Sequence, residues 1–539
     1  MRHLLFALAI LAAVPVAARA HFPFLLTENG KLKVFFGDAA EPDDPDLLER
    51  IAKAEVWAMG GRGEPKKIEL KKGAEALEGD LGSQAGGAFL KHTYGVLSRN
   101  NESYLLVYYG KTYSSPLPGS WKAVKDDERL PLEVTPQAHG AATKLTVTWK
   151  GKPLAGSVVT VVGPGLAQKV EGPTDDKGVF SCELPQAGVY SIRAKHTENT
   201  AGKLEDKEYP QVRYHSTLTF MNSPAKLSPL AHDLPALPKG TTSFGGAIAG
   251  DTLFVYGGNY GSAHEYRNED QSGDLWKLDL KKPGQWEKVG GGPKLQGLAM
   301  VEHKGSVYRI GGFTATNTGS EEAVLVSQAD FAKLKADGTW ESLPSMPTPR
   351  SSLDAAVLGD TLYVVGGWQL KGRGGDADWS KTALAINLAS DKPEWKEIAA
   401  PGFERRALSV AAHNGKLYAI GGMQKEGGPT TRIAVYDPQA KAWTEGPKLI
   451  GGGMEGFGSS AFASNGGLYV TTMSGAVQKL SADGAKFEYV GQLASPRFFH
   501  RLLPWGGSKL VVVGGSDMST GKTEKVELLS TADVQTAAK

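Results

Sequence analysis

From about residue 30 onward, apolar and polar positions alternate in short runs interrupted by clusters of glycine, proline, aspartate and lysine. That period of two marks half-buried strands rather than amphipathic helices. Residues 144–220 carry the runs "KLTVTWK", "SVVTVVG", "VFSCEL", "VYSIRAKH" and "YHSTLTF", parted by the turn clusters "KGKP", "TDDKG" and "QAG". They predict a β-sandwich over residues 136–222. Within "VFSCEL", Cys182 shares its parity with Phe180 and Leu184, which predicts a small core side chain. Residues 21–135 add the strands "KLKVFF", "FLKHTYGVL" and "YLLVYYG", with one short helix from Pro45 to Ala54.

From residue 245 the alternation becomes a repeat. A strand ending in a glycine pair recurs as "TLFVYGG", "SVYRIGG", "TLYVVGG", "KLYAIGG", a degraded "GLYVTTM" and "KLVVVGG". The second glycine or its stand-in falls at Gly258, Gly312, Gly367, Gly422, Thr472 and Gly515, in steps of 54, 55, 55, 50 and 43 residues. Trp286, Trp340 and Trp395 each lie 28 residues beyond the pair, Trp443 lies 21 beyond it, and Phe487 takes that place in the fifth repeat. A period near ~50 residues with four strand-like segments per unit predicts a β-propeller. The "GG…W" spacing resembles kelch repeats, and six copies predict six blades. Glycine pairs let the backbone turn where blades crowd, and each tryptophan fills the gap between neighbouring sheets.

The sixth repeat runs out of chain before an outer strand, because Gly515 plus 28 passes the end of a 539-residue sequence. The segment "LSPLAHDLPALP", Leu227 to Pro238, looks like the tails "WESLPSMP" and "WTEGPKL" of other repeats. It is predicted to return as the missing strand. The expected fold class is therefore all-β: a six-bladed kelch-type β-propeller (223–539) behind two small β domains. The first is a β-rich domain (21–135); the second is an immunoglobulin-like or transthyretin-like sandwich (136–222).

The first twenty residues read as a secretory signal: Arg2, the apolar core "LLFALAILAAVPV", and the small-residue site Ala18-Arg19-Ala20. That core is shorter than the roughly 20 apolar residues of a membrane span. The expected location is periplasmic or secreted, without membrane insertion. Cys182 is the one cysteine, so no internal disulfide is available. The chain has Lys+Arg 60 and Asp+Glu 58; loss of Arg2 and Arg19 with the leader leaves 58 against 58. Zero net charge does not favour nucleic acid. A monomer is expected.

Cleavage after Ala20 makes His21 the first residue of the mature chain. The stretches "AHFPFL", "VFFGDAAEPDD", "HTYGVL" and "RYHSTLTF" are similar to an exported bacterial family described as nickel-uptake substrate-binding-region-like. The resemblance spans roughly residues 21–222 and implies metal handling with the processed N-terminus in the site. The chemistry agrees, since an amino-terminal histidine offers its ring and an α-amino group of pKa about 8. Two such nitrogens and another imidazole suit Cu(II) or Ni(II). His92, His196 and His215 are the candidates for that imidazole. His92 and His196 share parity with apolar neighbours, whereas His215 falls opposite Tyr214, Leu218 and Phe220. Asp38, Glu41, Asp43, Asp44 and Asp46 form an acidic run that either binds a hard cation or caps the short helix.

At the ring, the residues 17 before each second glycine are Thr241, Leu295, Arg350, Arg405 and Glu455, and Arg497 lies 18 before Gly515. Arg350, Arg405 and Arg497 either form a basic mouth for a carboxylate-bearing ligand or tie one blade to the next. His500, Asp354, Trp368, Tyr260 and His264 are further rim positions. Kelch-type copper radical oxidases need a cysteine cross-linked to tyrosine, and Cys182 lies outside the ring. No nucleophile motif, phosphate loop or HExxH pattern appears. The leading expectation is an exported, non-enzymatic binding protein, with the ring as a protein or glycan docking platform. The alternative is a propeller-centred carbohydrate-active enzyme of the sialic-acid epimerase type, with Glu455, Asp354 and His500 as acid–base groups.

Overall fold

A computed structural model describes residues 21–532 except 29, 61–63, 83–84, 100–101, 125–126, 140–141, 225–226, 228–229, 231–233, 374–376 and 519. The expected signal peptide, residues 1–20, lies outside the described residues.

One eight-stranded sheet runs through the whole front half. Its order is Val170–Pro173, Val158–Val162, Gly188–Glu198, Val212–Asn222, Glu102–Tyr113, Gly87–Arg99, Glu55–Met59 and Lys66–Ile68. The central pair, Val212–Asn222 beside Glu102–Tyr113, is parallel. The expected boundary at 135/136 therefore crosses a continuous sheet, because strands far apart in sequence pair directly at its centre. One face is covered by the sheet Phe22–Glu28, Lys31–Gly37, Leu77–Asp80 and Lys71–Lys72, with Phe24, Leu25, Val34, Leu90 and Tyr108 between the layers. The other face meets Leu132–His139, Ala142–Trp149 and Val179–Glu183 over Val134, Leu145, Val147, Tyr190 and Ile192. Cys182 belongs to this second core, and burial pushes its thiol up to about 11.

The short helix is a 3₁₀ turn, Pro45–Ile51, rather than a helix reaching Ala54. Asp44 caps it by accepting from the Asp46 backbone N–H at 3.0 Å. A repeat of three residues per turn places Leu48 and Ile51 on the same buried face.

The C-terminal part is a β-propeller. Successive antiparallel sheets begin with the strands Gly245–Ala249, Ala299–His303, Asp354–Leu358, Ser409–His413, Ser460–Ser464 and Arg501–Trp505. Each first strand lies against the next, and Arg501–Trp505 also lies against Gly245–Ala249, so the ring closes. Along the outer edge of the last sheet, Leu230 N–H donates to Leu528 C=O and Leu237 N–H to Glu524 C=O, both at 2.8 Å. Leu230 and Leu237 thus lie along the edge where a fourth strand would pair. Trp286 Nε1 donates to Pro235 C=O at 3.0 Å, just as Trp395 does to Pro344 C=O and Trp443 to Ala399 C=O, each at 2.7 Å. Pro235 stands where the other repeats put the tail of the preceding sheet.

The glycine pairs make a backbone latch between neighbouring sheets. The second glycine donates to the carbonyl that opens the next repeat: Gly258 to Leu295, Gly312 to Arg350, Gly367 to Arg405, Gly422 to Gly456 and Gly515 to Thr241, at 2.7–2.9 Å. Thr472 departs from this rule. Its N–H closes a tight turn onto Ala476 C=O at 3.0 Å.

Candidate functional site

The fold sorts the four candidate histidines onto two faces of the large sheet. His92 pairs with Tyr108, and Tyr108 pairs with His215, on adjacent strands, so all three face the Phe22–Glu28 layer. The Tyr108 hydroxyl donates to His21 C=O at 3.2 Å, and the His215 ring lies 5.1 Å from that of Phe22. His196 lies on the opposite face, with its ring 4.6 Å from Trp149. His215 falls on the face opposite Leu218 and Phe220, as its parity predicts, and that face too is covered. This strand is buried on both faces, as strands central to layered sheets are.

As a set, these histidines do not make a metal cage. His92 Nε2 lies 2.9 Å from Arg50 C=O, and His21 Nε2 lies 3.4 Å from an Asp43 carboxylate oxygen. Among the described residues, no three His, Cys, Asp or Glu side chains are grouped to hold a metal ion. Burial lowers the pKa of His92 and pushes that of His215 down to about 4, with Arg193, Lys195 and Arg213 adding to the effect on His215. Burial thus favours the neutral form of both rings. Of the acidic run, Asp44 caps the 3₁₀ turn and Asp43 faces His21.

The three mouth arginines are turned inward. Arg350 donates to Thr382 C=O at 2.7 Å and to the Thr382 hydroxyl at 2.6 Å. Arg405 donates to Arg432 C=O at 2.9 Å. Arg497 donates to Lys525 C=O at 2.8 Å and pairs with Glu527. All three are at most 4 % exposed, and burial pushes each guanidinium pKa down to about 10. At these positions the guanidinium ends are taken up by carbonyls and side chains of their own sheets, although Nε of Arg350 and Arg405 is buried without an acceptor.

The exceptional fifth sheet gathers the remaining candidates. Glu455 sits in the turn Gly453–Gly456, where its carboxylate accepts from the hydroxyls of Thr472 and, at 2.7 Å, Ser474. Burial raises its pKa, and these hydroxyls oppose the rise. His500 Nε2 lies 2.6 Å from the Thr471 hydroxyl. Burial, with Arg497 and Arg501 nearby, pushes the imidazole down to about 3. Only four residues separate Thr471 from Ala476, which opens the next strand, against twelve between Ile420 and Ile433 in the fourth sheet. The short loop leaves room for the front half. Leu117 is fully buried beside Ala476 and Tyr489, and the Gly119 backbone abuts Ser474.

A bridge missed at the sequence level spans the ring. Arg501 donates to Phe244 C=O at 3.2 Å, Leu298 C=O at 2.9 Å and Asp354 Oδ1 at 2.9 Å. Asp354 Oδ2 in turn accepts from Val410 N–H at 2.8 Å. One ion pair thereby joins the sixth, first, second, third and fourth sheets. The inner strands also line a cavity of about 350 Å³, with Ala247, Met300, Ala356, Ala411, Phe462 and Leu503 in its wall. Of the other rim positions, the Tyr260 hydroxyl donates to Ser272 and His264 is exposed. The sequence signal for the Glu455 cluster was the degraded "TTM"; nothing local marked Arg501.

Residues 404–450 match the kelch motif. An N-acetylneuraminate epimerase from Pasteurella multocida (strain Pm70) is 27% identical over 282 residues, covering 44% of this chain and 70% of that protein. The Kelch repeat and BTB domain-containing protein 12 of Danio rerio is 22% identical over 214 residues, covering 38% of this chain and 34% of its own length. The solved structure of YjhT aligns with 56% of this chain and 97% of that chain, at a TM-score of 0.45 and 18% identity. The motif and the curated relatives support a kelch-repeat β-propeller. The chain spans about a third of the zebrafish protein.

Proposed function

We propose that this chain is an exported ligand-binding protein that presents the mouth of a six-bladed kelch-type ring to a protein or glycan. An immunoglobulin-like or transthyretin-like sandwich in the front half would brace that mouth. The observation that carries the reading is the state of the acid–base groups. Glu455, His500 and Asp354 are each buried, and each is held by groups of the ring itself. Groups so engaged hold a structure together, whereas a proton-transferring pair must reach its substrate. The motif likeness of residues 21–222 to nickel-uptake-like proteins leaves His21 and Asp43 as the pair where Cu(II) or Ni(II) would act. No step of this reading runs through a metal.

A second reading, an enzyme of the sialic-acid epimerase type, is supported by the relatives that carry that name. Glu455 also favours it, because burial keeps its carboxyl protonated to higher pH. Incubating the full chain with N-acetylneuraminate anomers and following their interconversion by NMR separates the two readings. The binding reading expects the rate found in buffer alone. Acceleration that Glu455→Gln removes would overturn it in favour of the enzyme.

A further inference from the structure

Arg406 follows the buried Arg405 and does not share its bonds. Its guanidinium carbon lies 4.1 Å from the centre of the Trp368 ring and 5.6 Å from that of Trp379. The two indoles meet edge to face, 5.5 Å apart, as cross-strand partners of the hairpin Trp368–Gly372 and Ala377–Trp379. This hairpin and the strand Arg405–Arg406 both lie in the loops at the glycine-pair end of the ring, where Ser351 and Trp368 bridge.

Every other mouth arginine has an oxygen to hold. Arg350 has Thr382, Arg405 has Arg432 C=O, Arg497 has Glu527, and Arg501 has Asp354. Arg406 has none among the described residues: its Nε is buried without an acceptor, as are those of Arg350 and Arg405, but its other nitrogens hold no oxygen either, and Nε1 of Trp368 beneath it is also unmet. Burial lowers the guanidinium pKa, and the one group that opposes this is the Tyr266 hydroxyl rather than an acid. An aromatic face offsets part of the cost of burying a cation, but it supplies no acceptor for N–H donors. Two unmet donors on residues in contact, beside a cation with no counter-ion among the described residues, describe a site that lacks an anionic oxygen.

We propose that Arg406, Trp368 and Trp379 form a carboxylate site at the mouth of the ring, suited to a sugar acid of the uronate type. The guanidinium fork matches a carboxylate in two parallel hydrogen bonds, which a point charge cannot do. The half-buried Trp379 beside it offers an indole for the apolar face of the sugar ring. Arg406 thereby takes the role that the sequence assigned to its neighbour Arg405. The proposal rests on the binding reading above and names its ligand class.

Titrating the full chain with D-glucuronate, and separately with D-glucose, while following tryptophan emission, tests it. The two sugars differ at one carbon, which carries a carboxylate in one and a hydroxymethyl group in the other. Glucuronate is expected to give a saturable change and glucose none at the same concentrations. Arg406→Met should weaken glucuronate binding tenfold or more, and Arg406→Lys should fall between. The melting temperature of Arg406→Met should hold or rise, because the variant removes an unpaired buried charge. Equal response to both sugars, no saturable response to glucuronate, or an unchanged titration in a folded Arg406→Met overturns the site. That failure leaves the binding reading standing. Accelerated interconversion of N-acetylneuraminate anomers overturns the binding reading without touching the Arg406 geometry.

Discussion

Five junctions between sheets of the ring carry the glycine-pair latch; the sixth lacks it and adds side-chain bonds to the Phe499 N–H to Gly458 C=O bond at 2.8 Å. Between the fourth and fifth sheets, Gly422 N–H reaches Gly456 C=O at 2.7 Å. Between the fifth and sixth, Thr472 and Met473 follow the strand where the other repeats carry their glycine pair. There the Thr471 hydroxyl meets His500 Nε2 at 2.6 Å, and Leu502 N–H donates to the Ser460 hydroxyl at 2.9 Å. The glycine latch is insensitive to pH and demands positive φ. The side-chain latch accepts L-residues and brings titratable groups inside. It also comes with the short loop onto which Leu117 and Gly119 dock. Where the repeat breaks, the ring gains both its buried polar cluster and its contact with the front half.

The largest effect is expected from breaking a glycine latch. Gly421 has φ +62°, and a Cβ there would stand 2.4 Å from Gly456 C=O and 2.6 Å from its Cα. Gly421→Ala should cost about 3 kcal/mol through backbone strain and a clash with a neighbouring main chain. A denaturant midpoint that barely moves would show that the fourth junction is no tighter than the fifth.

Next in size is the contact that only the fifth sheet permits. A Cβ on Gly119 would stand 1.9 Å from Ser474 C=O. Gly119→Ala should separate the front half from the ring, so that calorimetry of the variant resolves two transitions where the wild type shows closer coupling. An unaltered calorimetric trace would count against Leu117 and Gly119 as the docking point.

The smallest effect concerns pH. His500 has its folded pKa pushed down from 6.5 to about 3, so its contribution to stability is present above about pH 6.5 and is lost as pH falls toward 3. Glu455 has its pKa raised, so its contribution runs the other way and declines as pH rises above its unfolded value. In His500→Gln, stability relative to wild type should therefore climb as pH drops from 6.5 toward 3. A constant difference across that window, measured by urea unfolding, would remove His500 from the latch.

The ring was legible because its information is local and repeated. The spacing of glycine pairs and tryptophans in the chain corresponds to sheets and, for Trp286, Trp395 and Trp443, to the carbonyls that receive the indoles. Cys182 could be placed in a core by parity alone. The arginines were harder. Their positions at the start of each repeat were visible, but the direction of a guanidinium is set by carbonyls 27 to 32 residues later, as Thr382 and Arg432 are for Arg350 and Arg405. Arg406 stood unnoticed beside Arg405 because adjacent residues of one strand look alike in sequence and face opposite ways.

What the amino-acid order determined by itself was the period: strands of two-residue alternation, their grouping into units, and the single unit that lacks its glycines. What tertiary structure alone decided was which groups meet. His92 and His215 share a face because a parallel pair joins strands more than a hundred residues apart, while His196 is carried to the far side. Arg501 finds Asp354 across the ring at a separation of 147 residues. Periodicity is a property of neighbours along the chain; coordination, burial on both faces and ion pairing depend on closure of the whole fold.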